Sequence, residues 1–354
     1  MTEETNHYGA TSARPAGRPG REVRPASTTI DIHSHVMVPE AAALVQPYLD
    51  LAAMPLANFA TPNTQALNRQ QEADRRANMT DIAVRLADMD AAGIDMQIIM
   101  PPPGQCTYAV PLDVGIKAAE IINDGMAAFV AQRPERFQAL GTVPMQDPAA
   151  AVRALEACVK GRRLKGVQIL TNIAGKELSD PAYAPFWEAA ESLGAVVLIH
   201  PNGFTDAERL RRFYFNNVLG NPLETTVALH YLIFDGVLER HPALKLVAVH
   251  GGGYLAAYSG RIDHAWGARS DVRTTLPQPP TTYLRRVFFD TVVFTPHQLT
   301  NLIEVFGANQ ILMGTDYPYD MAEADPIGHL ASADLDAAVF SAIAGGNAKA
   351  LFGV

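Results

Sequence analysis

Residues 195–201 read Ala195-Val196-Val197-Leu198-Ile199-His200-Pro201: five apolar residues in a row, closed by a histidine and a proline. A run this short suits a buried strand, and it sits between two amphipathic stretches, Pro181–Leu193 and Leu223–Glu239. The pattern repeats in both directions. Apolar, β-rich runs occupy Thr28–His33, Ile94–Met100, Phe137–Val143, Gly166–Leu170, Leu244–His250, Val287–Asp290 and Ile311–Thr315. Helical patterns cover Asp81–Ala92, Ile116–Gln132, Ala149–Lys160 and Pro296–Phe306. This alternation predicts an α/β fold with a parallel sheet, and eight units predict a (β/α)8 TIM-type barrel. A doubly wound sheet is the competing architecture. The connections Val36–Thr80, Pro201–Pro222 and Gly251–Arg286 are long, and all three follow strands. In a barrel they would cap the C-terminal face, where function usually sits.

The chain has 354 residues, 48% hydrophobic and 18% charged, which excludes wholesale disorder. With 28 basic and 37 acidic side chains the formal charge is −9. That balance excludes a basic nucleic-acid footprint, and an anionic substrate would need local arginines to capture it. No apolar run reaches the roughly 18 residues of a membrane helix. Cys106 and Cys158 form no C-x-x-C pair, so neither a disulfide framework nor a cysteine zinc site is expected. Residues 1–27 are rich in Pro, Gly, Arg and Thr without an apolar core, unlike a secretory signal. They are expected to be a disordered tail, with 28–354 a single barrel domain in the cytoplasm.

Chemistry concentrates at strand ends. Alternation along Asp31-Ile32-His33-Ser34-His35 would put Asp31, His33 and His35 on one face and Ile30 and Ile32 on the other. The fifth strand ends in His200. The sixth ends in His250, followed by Gly251-Gly252-Gly253, and the eighth runs Met313-Gly314-Thr315-Asp316. The His33-x-His35 pair alone reads equally as two polar residues at a strand end or as a metal grip, and a lone strand-end histidine such as His200 reads as a satisfied core residue. In a barrel, however, the four strand ends converge on one rim. Three or four N/O ligands with an open position describe a catalytic site for one divalent metal, zinc first and manganese second.

With these motifs on the page, the chain resembles the metal-dependent amidohydrolase superfamily, in its aminocarboxymuconate-semialdehyde decarboxylase branch. The resemblance runs from about Ile30 to Gly353. It rests on Ile30–His35, on Leu219-Gly220-Asn221-Pro222-Leu223-Glu224-Thr225-Thr226, on His250–Gly253 with Gly260-Arg261-Ile262-Asp263-His264, on Leu312–Pro318 and on Gly346-Asn347-Ala348. The resemblance implies His33, His35, His200 and Asp316 as metal ligands and His250 as the catalytic histidine. It implies that Arg261 reaches the neighbouring subunit's site and holds a substrate carboxylate, hence a homodimer. Arg269 and His264 also match recurrent positions. The departures touch substrate walls. The family's tryptophan after the fifth-strand His-Pro is Asn202, followed by an aromatic stretch containing Tyr214. A His-Asp pair after strand seven becomes Phe294-Thr295. The carboxylate-binding arginine of the first long loop has no aligned counterpart, although Arg69, Arg75 and Arg76 lie nearby, and Arg76 is the candidate.

No phosphate-binding glycine motif or organic-cofactor signature appears. The expected activity is nonoxidative decarboxylation of an unsaturated or aromatic carboxylic acid in aromatic-compound degradation, with a metal as electron sink. His250 would act as general base, Asp316 as ligand and proton shuttle, and Arg261 as the carboxylate clamp. Hydrolysis or hydration of a related ring-cleavage product, lactone or amide could use the same site. Lys165 precedes the fourth strand and none ends it, which favours a mononuclear site. His230 is expected packed or exposed, His241 at a helix end, and His7, His297 and His329 on the surface. The cysteines are expected to be inert, with Cys106 close to the active rim.

Overall fold

Eight parallel strands close into a ring in the computed structural model, which describes residues 20–354. They are β1 (Ile30–His35), β2 (Met96–Met100), β3 (Phe137–Ala139 continued by Gly141–Thr142), β4 (Gly166–Leu170), β5 (Val196–His200), β6 (Lys245–Ala248), β7 (Phe288–Asp290) and β8 (Ile311–Leu312). Hydrogen-bonded neighbours follow chain order from β1 to β3 and from the second half of β3 to β8. The ring closes through backbone bonds from Ile32 N–H to Met313 O (2.9 Å), from Asp316 N–H to His33 O (2.8 Å) and from His35 N–H to Tyr317 O (2.8 Å). Sequential order with closure is the (β/α)8 barrel; a doubly wound sheet would reverse order at a switch point.

Alternation explains both layers. Ile30, Ile98, Met100, Leu140, Val196, Leu198 and Val247 form one buried cluster that fills the barrel. Their neighbours Ile99, Val167, Ile169, Val197 and Ile199 belong to the larger cluster between strands and helices. One principal helix follows each strand: α1 (Ile82–Ala92), α2 (Leu112–Gln132), α3 (Pro148–Glu156), α4 (Ala184–Leu193), α5 (Asn221–Phe234), α6 (Leu255–Ala268), α7 (Pro296–Phe306) and α8 (Asn347–Phe352). The last packs Ala348, Leu351 and Phe352 against the barrel-filling cluster. Among the described residues no helix is long and apolar enough to cross a membrane.

Two expectations change. The connection Val36–Thr80 contains the helices Pro39–Val45 and Pro62–Asp74, and the connection Gly251–Arg286 contains α6. Its outer face carries exposed Tyr258 and Arg261 beside small residues, so the apolar periodicity is blurred. The tail expected over 1–27 does not extend to its boundary as disorder. Gly20–Val23 form a helical turn, Gly20 N–H donates to Asp325 Oδ1 (3.1 Å), and Arg24 pairs with Asp95. Polar anchoring of this kind leaves no hydrophobic signature in sequence. The rest of the expected tail, including His7, lies outside the described residues.

Candidate active site

The C-terminal strand ends bring five side chains together. His33 and His35 come from β1, which contains a bulge. Ile30 and Asp31 pair with Met96 and Gln97, but Ser34 and His35 pair with Ile99 and Met100, so β1 fits three steps against two. The extra residue resets the alternation, and the expected common face of Asp31 with His33 and His35 is not kept. Asp31 instead serves structure. Its Oδ1 accepts the N–H of His33 (3.0 Å) and of Thr315 (3.1 Å), and its Oδ2 accepts from Gln97 Nε2 (2.9 Å) and Thr315 Oγ1 (2.8 Å).

His200 ends β5. His250 and Asp316 lie just past β6 and β8, at φ 55° and 64°. Left-handed backbone is costly for residues with a Cβ and clusters at functional sites. After His250 the turn needs glycine: a Cβ on Gly253 would lie 2.1 Å from Pro222 O.

One atom each of His33, His200, His250 and Asp316 lies within 4.8 Å of all the others. His35 joins them, with its Nε2 3.0 Å from Asp316 Oδ1 and 3.2 Å from His33 Nε2. The far side of each ring is occupied. His33 Nδ1–H donates to Asp290 Oδ2 (2.7 Å), His35 Nδ1–H to Pro101 O (3.1 Å) and His200 Nδ1–H to Pro201 O (2.7 Å). In the neutral rings, Nε2 therefore presents only a lone pair. Two such lone pairs face a carboxylate oxygen that can also only accept, and His200 Nε2 is buried without a partner among the described residues. Bare lone pairs converging in a dry site are stabilised by a cation, and the donor set fits a divalent metal. With Asp316 and Asp290 both ionised, the local charge of −2 also matches one divalent ion.

Taken alone, these side chains polarise one another, and the carboxylates draw a proton towards His33 where a cation would otherwise sit. Burial raises the Asp316 carboxyl, but the His33 charge and bonds from His250 and His35 outweigh it and hold it well below the usual carboxylate range. Burial holds His200 well below the ordinary histidine range. Burial opposes the charged form of His33 too, yet Asp316 and Asp290 win and raise it. His250 is less enclosed, its side chain 15% exposed and its Nε2 3.5 Å from Asp316 Oδ2. That leaves it the most accessible of the four imidazoles.

Sequence reasoning missed Asp290. Its carboxylate takes the His33 bond and the N–H of Gly251 (2.8 Å), so it ties β1 to the His250 turn. The signal was present, because the seventh apolar run ends in this aspartate.

The substrate-side residues fare unevenly. Arg76 is exposed, and Arg75 is the inward arginine of the first loop, buried and 3.9 Å from Asp320. Arg75 occupies the break between the helices Pro62–Asp74 and Arg76–Thr80, a turn that sequence proximity alone cannot place. Burial pushes the Tyr214 and Tyr319 hydroxyls above the usual tyrosine range, and both feel the charges of Asp316 and Arg75. Arg75, Tyr214, Tyr319 and Asp320 thus cluster beside the donor set. Asn202 and Cys106 line a cavity of about 320 Å³ with Tyr108 and Leu170. Arg269 does not reach the site within the chain: it is exposed and paired with Asp271 at 2.7 Å. Arg261 and His264 are also exposed, on α6.

Among the remaining expectations, His329 is a correction, being fully buried in the helix Pro326–Ala331. Its helix covers the barrel wall with Ile327 and Leu330, and a six-residue segment is too short to show that face by periodicity. His297 is exposed, His230 donates to Thr226 O (2.7 Å), and His241 ends a helical turn against Glu191. Both cysteines are free and buried, and burial pushes the Cys158 thiol up to about 12.

A family model described as Amidohydrolase matches residues 30–354. Over 251 residues the chain is 33% identical to the 2-amino-3-carboxymuconate-6-semialdehyde decarboxylase of Dictyostelium discoideum, covering 71% of this chain and 70% of that protein. Its fold is similar to that of 5-carboxyvanillate decarboxylase from Sphingomonas paucimobilis, with a TM-score of 0.81 and 29% identity over 93% of this chain and 100% of that one. It is also similar to a dihydroxybenzoic acid decarboxylase from Polaromonas sp. with bound manganese and the inhibitor 2-nitroresorcinol. There the TM-score is 0.78 and the identity 25%, over 92% of this chain and 97% of that one.

Proposed function

The chain belongs to the amidohydrolase family, and from that premise we propose that it is a metal-dependent, nonoxidative carboxy-lyase. Its substrate is an unsaturated or aromatic carboxylic acid of the aminocarboxymuconate-semialdehyde or hydroxybenzoate type. The observation that carries the reading is the convergence of lone-pair imidazole nitrogens on the Asp316 carboxylate. His33, His35, His200 and Asp316 would hold one divalent ion. When bound, it polarises an oxygen ligand and offers the electron sink that decarboxylation without an organic cofactor needs. We assign zinc, on the imidazole-rich donor set. The manganese of the Polaromonas relative makes that metal the alternative to test. The interior of β4 carries Gln168 in place of a bridging lysine, which favours a single ion.

The protein's own groups then divide the work. His250 moves the proton, either taking it from a water that adds beside the carboxylate or giving it to the carbon that loses carbon dioxide. Asp316 can relay that proton, since its Oδ2 is the nearer oxygen to His250. Arg75 and Tyr214 orient the substrate from the first and fifth loops, with Asn202 on the wall. Arg261 completes the clamp from the second subunit of a homodimer. Support for that pairing comes from Tyr254 and Tyr258, exposed with Arg261 on or next to α6, and from exposed Phe213, Phe215, Val218 and Leu219 of the fifth loop, which Tyr254 meets through its hydroxyl bond to Leu219 O (3.3 Å). The free, buried cysteines suit the cytoplasm.

The test is metal content of the purified protein together with carbon dioxide release from a panel of muconate semialdehydes and hydroxybenzoates. About one zinc or manganese per chain with released gas is expected. Metal without gas would move the assignment to a hydrolase or hydratase, and no metal after reconstitution would overturn the site itself.

A further inference from the structure

Arg85 lies on α1, outside the ring of strands, and is completely buried. Burying a guanidinium is expensive unless its donors are matched. Among the described residues no carboxylate comes within 4.0 Å of it. Its partners are instead neutral, and one of them is the backbone of His35. One terminal nitrogen donates to the carbonyl of His35 and to that of Asn78 (3.0 Å), and the other donates to Gln97 Oε1 (2.9 Å). Gln97 passes the contact on, its Nε2 donating to Asp31 Oδ2 (2.9 Å). Asp31 in turn holds the N–H of His33 and both the N–H and the hydroxyl of Thr315, next to Asp316. The Tyr317 ring lies 4.8 Å from the guanidinium carbon, on the other side of Asp316.

We propose that Arg85 is a positioning residue for the metal centre, holding the β1 bulge at both ends and locking it to the end of β8. The inference rests on the metal reading above. The bulge begins after Asp31 and ends by His35, and the relay from Arg85 reaches one residue directly and the other through Gln97. A bulge leaves its extra residue unpaired and the ladder locally disrupted, so contacts outside the ladder must hold its geometry. Relaxation here would move His33 and His35 relative to Asp316 by a fraction of the residue spacing, enough to spoil ligation. The fork geometry of arginine explains the residue type, since a lysine cannot serve a carbonyl and an amide from two fixed directions.

The experiment compares Arg85→Lys, Arg85→Met and Gln97→Leu with the wild type. It reads the zinc dissociation constant by chelator competition, the visible spectrum of the cobalt-substituted protein, and the melting temperature of the metal-free form. Gln97→Leu cuts the relay and leaves the His35 contact, so it decides the matter if the arginine variants fail to fold. Zinc affinity is expected to fall ten- to a hundredfold in Gln97→Leu and in each folded Arg85 variant, with an altered cobalt spectrum. A lower melting temperature with zinc affinity within twofold of wild type would show a purely structural role and overturn the proposal. A wild-type protein that binds no metal would overturn both this inference and the reading beneath it.

Discussion

Asp290 accepts the Nδ1–H of His33 at 2.7 Å, with both side chains fully buried. The bond fixes which nitrogen of His33 faces the other donors, and the same carboxylate holds the turn that carries His250. Carboxylates behind a ligating imidazole raise its basicity and set its orientation. Asp290→Asn should therefore weaken zinc binding ten- to a hundredfold while the protein stays folded. Chelator competition checks this, and an unchanged dissociation constant would remove Asp290 from the site.

His250 stands apart from the other histidines by its partial exposure and by its place beyond the end of β6. Its removal leaves His33, His35, His200 and Asp316 in place. His250→Ala is expected to keep its metal and fold but to lose activity by about 10²-fold or more. Metal analysis and carbon dioxide release on the same preparation separate the two effects. Full activity would sink the assignment of the proton-transfer group.

What the sequence exposed, and what it hid, divide along physical lines. Strands such as Val196–His200 are legible because burial on both faces makes them uniformly apolar, and the chemistry at their ends interrupts that run. Asp290 was in view at such an end and was overlooked because it stands behind His33 and is not itself among the converging donors. The bulge after Asp31 was invisible, since it arises from pairing between β1 and β2 and from the Arg85 relay, both long-range. Arg75 and Arg76 could not be told apart by spacing, because the break between the helices Pro62–Asp74 and Arg76–Thr80 decides which one turns inward.

That last distinction is open to direct measurement. Arg75 is buried beside Tyr214, Tyr319 and Asp320, whereas Arg76 faces solvent. A charge-assisted bond to a substrate carboxylate contributes about 1.5–3 kcal/mol. Arg75→Met should thus raise KM by roughly ten- to a hundredfold, and Arg76→Met should leave it within twofold. The reverse ranking in steady-state kinetics would restore the expectation drawn from sequence.

Glu224 on α5 offers a test away from the reaction. It is 3% exposed and accepts the N–H of Thr205 at 3.0 Å. Burial first, and the charge of Glu177 second, push its carboxyl up from 4.5 to about 7. The folded protein therefore holds this proton more tightly than the unfolded chain. The resulting stabilisation is complete below 4.5 and is lost as pH rises through about 7. Glu224→Gln keeps an acceptor for Thr205 and removes the titration. The melting temperature of the variant relative to wild type should climb by a few degrees between pH 5 and pH 8. A difference that stays flat with pH would mean that the carboxyl titrates normally.

Arg261 gives the sharpest test of the assembly. It is exposed on α6, where its own chain offers it no place in the donor cluster. If it works across a twofold interface, each site combines His250 of one subunit with Arg261 of the other. Arg261→Ala and His250→Ala homodimers are then both impaired at every site. A heterodimer of the two has one site lacking both groups and one site lacking neither. Random mixing makes half of the dimers heterodimeric, so activity should recover to about a quarter of wild type. If Arg261 instead served its own subunit, every site in the heterodimer would lack one group, and mixing would restore nothing. Heterodimers confirmed by differential tags, assayed against both parents, decide between the two.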